Sequence, residues 1–127
     1  MSRRVVVTGM GAITPVGNDV ATTWRALLDG KSGAGPITHF DASGFPVRFA
    51  CEVKGFDPLQ YMEKKEAKRA DQFTQYAVAA ARQAMTHAGL AEQNGQDPAR
   101  IGVSVGSGMG GLKIFEEQHD VYRQRGP

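Results

Sequence analysis

Ile101-Gly-Val103-Ser-Val105-Gly-Ser-Gly-Met109-Gly-Gly111-Leu112 is the stretch whose reading decides the fold. Ile101, Val103 and Val105 alternate with small residues as a half-buried strand does, and the run then breaks into Gly106, Gly108, Gly110 and Gly111 ahead of a helical pattern. A strand that runs into a glycine turn is where α/β proteins place ligands. Gly106, Gly108 and Gly111 also spell G-x-G-x-x-G, a dinucleotide pattern that needs an acidic residue about twenty residues on, at the end of the next strand. That position falls near Asp120, among helix-forming residues with no second strand. The N-terminal Thr8-Gly-Met-Gly11 begins like a nucleotide loop, but Ile13 and Pro15 stand where a pyrophosphate needs glycine or a helix N-terminus. Nucleotide binding is set aside on both counts.

Working outward, Arg3 to Thr8 reads as a second strand, its Val5-Val-Val7 run suited to burial on both faces of a parallel sheet. A glycine-rich turn follows, which Pro15 keeps from becoming a regular helix. Asn18 or Asp19 then caps a helix in which Val20, Trp24, Leu27 and Leu28 form one apolar stripe, and Gly30 stops it. Between Lys31 and Gly55 the signals are loop-like, with Phe49, Cys51 and Val53 alternating as a short strand or hairpin arm. Asp57-Pro58 starts a short helical piece through Leu59, Tyr61 and Met62, and the charged segment from Glu63 to Arg69 follows.

The strongest helical pattern runs from Asp71 to Ala88. Phe73, Ala77, Ala80, Ala84 and Ala88 share a face, Tyr76 sits beside them and Gly89 ends it. So many alanines imply close approach by another element. A polar loop at 92–96 and a second Asp97-Pro98 start lead into the opening strand, and Leu112, Phe115 and Tyr122 mark a last helix. Two or three strands alternating with helices make the class α/β with an incomplete sheet, in effect half of one.

Composition narrows the function. Forty-one per cent apolar and 22% charged residues describe an ordinary globular chain. Fifteen basic against 13 acidic residues give a net charge of +2, too small to imply nucleic-acid binding. A single cysteine excludes an intrachain disulfide framework and fits a reducing cytoplasm. No signal-peptide core and no membrane-spanning run is present.

Among candidate chemical groups, Cys51 reads as a small buried residue on its alternating strand rather than as a nucleophile. His39, His87 and His119 are scattered, without metal-ligand spacing, and His87 suits a helix C-terminus as a cation. Lys64, Lys65, Lys68 and Arg69 differ in that they cluster. Glu63 and Glu66 dilute them through local pairs, yet Lys65, Lys68 and Arg69 fall together at helical spacing and would steer an acidic helical protein.

Taken in order, Val5-Val-Val-Thr-Gly-Met-Gly-Ala-Ile-Thr-Pro-Val-Gly17, the Trp24 helix with Gly30-Lys-Ser-Gly33, the run from Lys64 to Tyr76, and the stretch from Ile101 to Leu112 resemble the start of a β-ketoacyl-[acyl carrier protein] synthase, most nearly the elongating synthase II type. The resemblance covers essentially the whole chain. It implies a layered, thiolase-like αβαβα fold, a homodimer, and fatty acid elongation by condensation of an acyl-cysteine with malonyl-carrier protein. Two histidines and backbone amides stabilise the developing charge, and no redox cofactor or metal takes part.

The family's nucleophilic cysteine and its two histidines lie in motifs that these residues do not contain, and Cys51, His39, His87 and His119 match none of them. Residues 1–127 therefore read as the N-terminal part of the synthase N-terminal domain, with no catalytic group of their own. The resemblance carries over Lys65, Lys68 and Arg69 as carrier-protein contacts. It also carries over Met109, with Gly108, as lining of the acyl pocket near the dimer interface, the glycines serving tight packing around Met109. A non-catalytic relative of chain-length-factor type and a free-standing module for acidic proteins are the alternatives, and the module would have to fold alone.

Overall fold

The computed structural model describes residues 3–90 and 96–126. The expected polar loop at 92–96 lies, apart from Gln96, outside them. Four helices carry the described chain: α1 (Val20–Leu28), α2 (Lys64–Ala67), α3 (Gln72–His87) and α4 (Leu112–Arg125). Two-residue strands β1 (Gly35–Pro36) and β2 (Phe49–Ala50) pair antiparallel, Gly35 opposite Ala50 and Pro36 opposite Phe49. Both Asp-Pro starts form single 3₁₀ turns, at Pro58–Gln60 and Pro98–Arg100, each capped by its aspartate.

The helix starts follow the side chains that satisfy otherwise orphaned amides. Asp19 Oδ1 accepts the Thr22 amide at 2.7 Å to begin α1, and Asp71 Oδ1 accepts the Gln72 amide at 2.6 Å to begin α3. Gly30 and Gly89, at φ of 65° and 71°, supply the left-handed residues just past α1 and α3.

α3 is the axis of the packing. Ala79 on it is fully buried, and Tyr76 takes the edge of the Phe56 ring, centroids 4.9 Å apart, while Phe56 stacks on Tyr61. The partner that the alanines imply is the N-terminal glycine turn. A Cβ on Gly9 would run into the Ala84 carbonyl and sit 2.8 Å from the Ala88 Cβ; one on Gly11 would run into the Ala80 carbonyl. Glycine lets the turn lie directly on the alanine face.

Three expectations need correction. Residues 3–8 and 101–105 form no strand among the described residues, because neither finds a ladder partner there; Val5 is 94% and Val103 85% exposed. The α1 stripe is not buried: Trp24, Leu27 and Leu28 face solvent and Ala26 packs instead, since no described segment covers that face. Cys51 is exposed rather than buried, as the β1–β2 pair ends at Ala50.

Candidate functional site

α2 and the turn after it present the basic segment. Lys64, Lys65, Lys68 and Arg69 are all exposed, and among the described residues none is in a salt bridge, so the expected pairs with Glu63 and Glu66 do not form. Their charge is left for solvent or a partner. The segment is nevertheless held in place. Gln75 on α3 donates from Nε2 to the carbonyls of Ala67 (2.9 Å) and Ala70 (3.0 Å), satisfying acceptors that the end of α2 leaves open.

Beside this segment runs a shallow groove of about 540 Å³, lined by Arg69, Asp71, Phe73, Thr74, Gly111 and Ile114 among others. Here the glycine stretch meets the basic segment. Gly111 is the N-cap of α4 and has no side chain to cap it. Asp71 serves instead, from 43 residues away, its Oδ2 accepting the Ile114 amide at 3.5 Å. A Cβ on Gly111 would lie 2.7 Å from that oxygen.

The other glycines of the stretch divide. Gly110, at φ of 64°, takes a backbone conformation that suits glycine, and its amide donates to Ser107 Oγ at 3.0 Å. At Gly106 and Gly108 a Cβ would meet nothing within 4 Å, so within these residues the expected packing around Met109 is absent. Met109 is 78% exposed and, like Gly108, lines none of the cavities described here.

A second cavity, of about 570 Å³, lies beside the contact of the N-terminal turn with α3, lined in part by Met10, Val20, Tyr61, Gln83 and His87. Gln83 organises it. Its Oε1 accepts the Ala12 amide (3.1 Å), and its Nε2 donates to the Asn18 carbonyl (2.8 Å) and the Tyr61 hydroxyl (3.1 Å). His87 Nδ1 accepts the Met10 amide at 3.1 Å, tying the last turn of α3 to the N-terminal turn. Gln83 and His87 thus hold the turn to α3 from one wall of this cavity. Among the described residues no three His, Cys, Asp or Glu side chains come together as metal ligands, and no helix is long and apolar enough to cross a membrane.

Asp71 as an α3 cap was readable from its position before the apolar run. Its second bond, to α4, carried one local signal only, a helix start at Gly111 with no capping side chain. Gln75 and Gln83 carried none.

A family model described as "Beta-ketoacyl synthase, N-terminal domain" matches residues 2–126. The chain belongs to the β-ketoacyl synthase N-terminal domain family. This ketoacyl synthase chain is 54% identical over 125 residues to the 3-oxoacyl-[acyl-carrier-protein] synthase 2 of Vibrio cholerae, covering 98% of the chain and 30% of that relative. It therefore spans about a third of the length of the curated relatives it matches.

Two solved structures share its fold. The ishigamide ketosynthase/chain length factor superposes with a TM-score of 0.73 at 35% identity, over 95% of this chain and 30% of that one. A type II PKS acyl-carrier protein in complex with its ketosynthase superposes with a TM-score of 0.75 at 28% identity, over 99% of this chain and 33% of that one. The chain thus has the thiolase-like fold that the resemblance implies, in the α/β class that its strand and helix pattern suggests, although its described residues pair only β1 with β2.

Proposed function

We propose that residues 1–127 are the N-terminal part of the synthase domain of a β-ketoacyl-[acyl carrier protein] synthase, a cytoplasmic homodimer that elongates fatty acyl chains. The observation that carries this reading is 54% identity, sustained over 98% of the chain, to a 3-oxoacyl-[acyl-carrier-protein] synthase 2. In the reaction an acyl group is held as a thioester on a cysteine. Malonyl-carrier protein loses its carboxylate as carbon dioxide, the resulting carbanion attacks the thioester carbonyl, a carbon–carbon bond forms, and the carbon–sulfur bond breaks to release the thiolate. The nucleophile and the groups that stabilise the charge come from outside these residues, and no redox cofactor or metal is needed.

The chain's own share is recognition. Lys65, Lys68 and Arg69 hold the acidic carrier protein, a role supported by their exposure, their lack of internal partners and the anchoring of their segment by Gln75. Met109 and Gly108 line the acyl pocket once the rest of the dimer encloses them; an exposed, unbranched methionine suits a wall that must adapt to different tails. The non-catalytic alternative is the less supported reading, since the chain is 35% identical to the ishigamide ketosynthase/chain length factor against 54% to the synthase.

The test is charge reversal at Lys65, Lys68 and Arg69 in the full-length enzyme. Carrier affinity should fall by about tenfold or more at low salt, with a smaller loss at high salt. Unchanged affinity at both salt concentrations removes the basic segment from carrier recognition.

A further inference from the structure

We infer that Asp71 is a positioning residue for acyl chain length, holding the Met109 turn in register with the carrier-docking segment. The inference rests on the reading of Lys65, Lys68, Arg69 and Met109 given above.

The geometry is specific. One carboxylate serves two helix starts, Oδ1 on the Gln72 amide of α3 and Oδ2 on the Ile114 amide of α4. On the α3 side it follows Arg69 by two residues, in the segment that Gln75 fixes. On the α4 side it stands in for the cap that Gly111 lacks, and Gly111 is bare where a Cβ would lie 2.7 Å from Oδ2. Met109 is separated from that cap only by Gly110, whose φ of 64° sets the direction in which the chain leaves it.

Among the described residues the start of α4 therefore has one hydrogen bond to the basic segment's side of the molecule, and Met109 leads into that start. Helix capping acts within the first turn, so its loss frays that turn and the residues leading into it. A shifted Met109 changes the depth of the wall it lines, and pocket depth is what separates acyl chains differing by two carbons.

The experiment uses the full-length enzyme and reads the product chain-length distribution and carrier-protein affinity. Asp71→Ala should change the ratio of adjacent chain lengths by about tenfold, the scale of methylene discrimination in apolar pockets, while carrier affinity stays within about twofold of the parent. The double variant Asp71→Ala with Gly111→Ser restores a local cap to α4 in the space that the aspartate vacates, and should return the distribution toward the parent's. Failure of that rescue, with both variants folded by circular dichroism, means that Asp71 acts through α3 and overturns the inference. An unaltered distribution in Asp71→Ala overturns it directly. Should Asp71→Ala not fold, Asp71→Asn, which keeps a neutral acceptor for one helix start, takes its place under the same two criteria. Met109→Phe separates the underlying reading: if it shifts the distribution and Asp71→Ala does not, the inference fails alone, and if neither does, the pocket assignment of Met109 fails with it.

Discussion

Gly11 shows how one hydrogen in place of a methyl decides a tertiary contact. Its Cα lies so close to α3 that a Cβ would run into the Ala80 carbonyl oxygen and come within 2.8 Å of the Gln83 Cβ, and the first of these neighbours is backbone, unable to rotate away. In the full-length protein Gly11→Ala should cost about 1–3 kcal/mol, the range for overpacking a close contact, read as a drop in the urea midpoint with an unchanged slope. A loss below about 0.5 kcal/mol, the level of a surface change, would mean that the turn can lift off α3 without penalty. The same turn explains why Thr8-Gly-Met-Gly11 looked like a nucleotide loop. Glycine spacing records how near something comes, and here the approaching group is an alanine face rather than a phosphate.

At the scale of elements, α1 ties a helix start to pH. Asp19 accepts the Thr22 amide, and this bond above all holds its carboxyl below the ordinary carboxylate range. A depressed folded pKa contributes stability that is complete above the unfolded value and is lost as pH falls through the folded one. Asp19→Ala should therefore lose about 1 kcal/mol in the full-length protein at neutral pH and progressively less toward acid, where the parent's cap is protonated. Asp19→Asn should keep the cap and lose its pH dependence. Denaturation of the three proteins at pH 7 and at acid pH checks this, and an equal deficit for the alanine variant at both would show that the charge is irrelevant. Glu52 moves the same way, its carboxyl lowered chiefly by the Thr38 hydroxyl at 2.7 Å. Caps of this kind were legible in the sequence because they are local: Asp19, Asp57, Asp71 and Asp97 each precede the turn they start, and α3 runs within one residue of its expected span at either end. The double duty of Asp71 was not legible, since its second amide lies 43 residues away.

At the scale of the molecule, the α/β class read from the sequence agrees with the superposition on ketosynthases, while the strands expected at 3–8 and 101–105 do not form among the described residues. What pattern could not tell is that no ladder partner stands beside them among the described residues, because alternation reports which faces suit burial and not what buries them. The surface area gives the scale of the shortfall. The chain exposes 10645 Å², whereas a compact monomer of its mass exposes about 6,600 Å². Ala26, Ala42, Met62 and Ala79 are the buried hydrophobic residues among those described, three of them alanines, and they remove too little apolar surface to offset the ordering of the chain. The contacts among the described residues, namely the helix caps, the Gln83 clamp, the glycine turn on α3 and the rings around Phe56, position segments while burying few large side chains. The 127-residue chain expressed alone should therefore melt without a sharp transition and show no condensing activity, while the same residues within the full-length protein unfold cooperatively. Calorimetry on both checks the first half, and a single sharp endotherm from the isolated, monomeric chain would support the free-standing module instead, since only a chain that covers its own valines could unfold in one step.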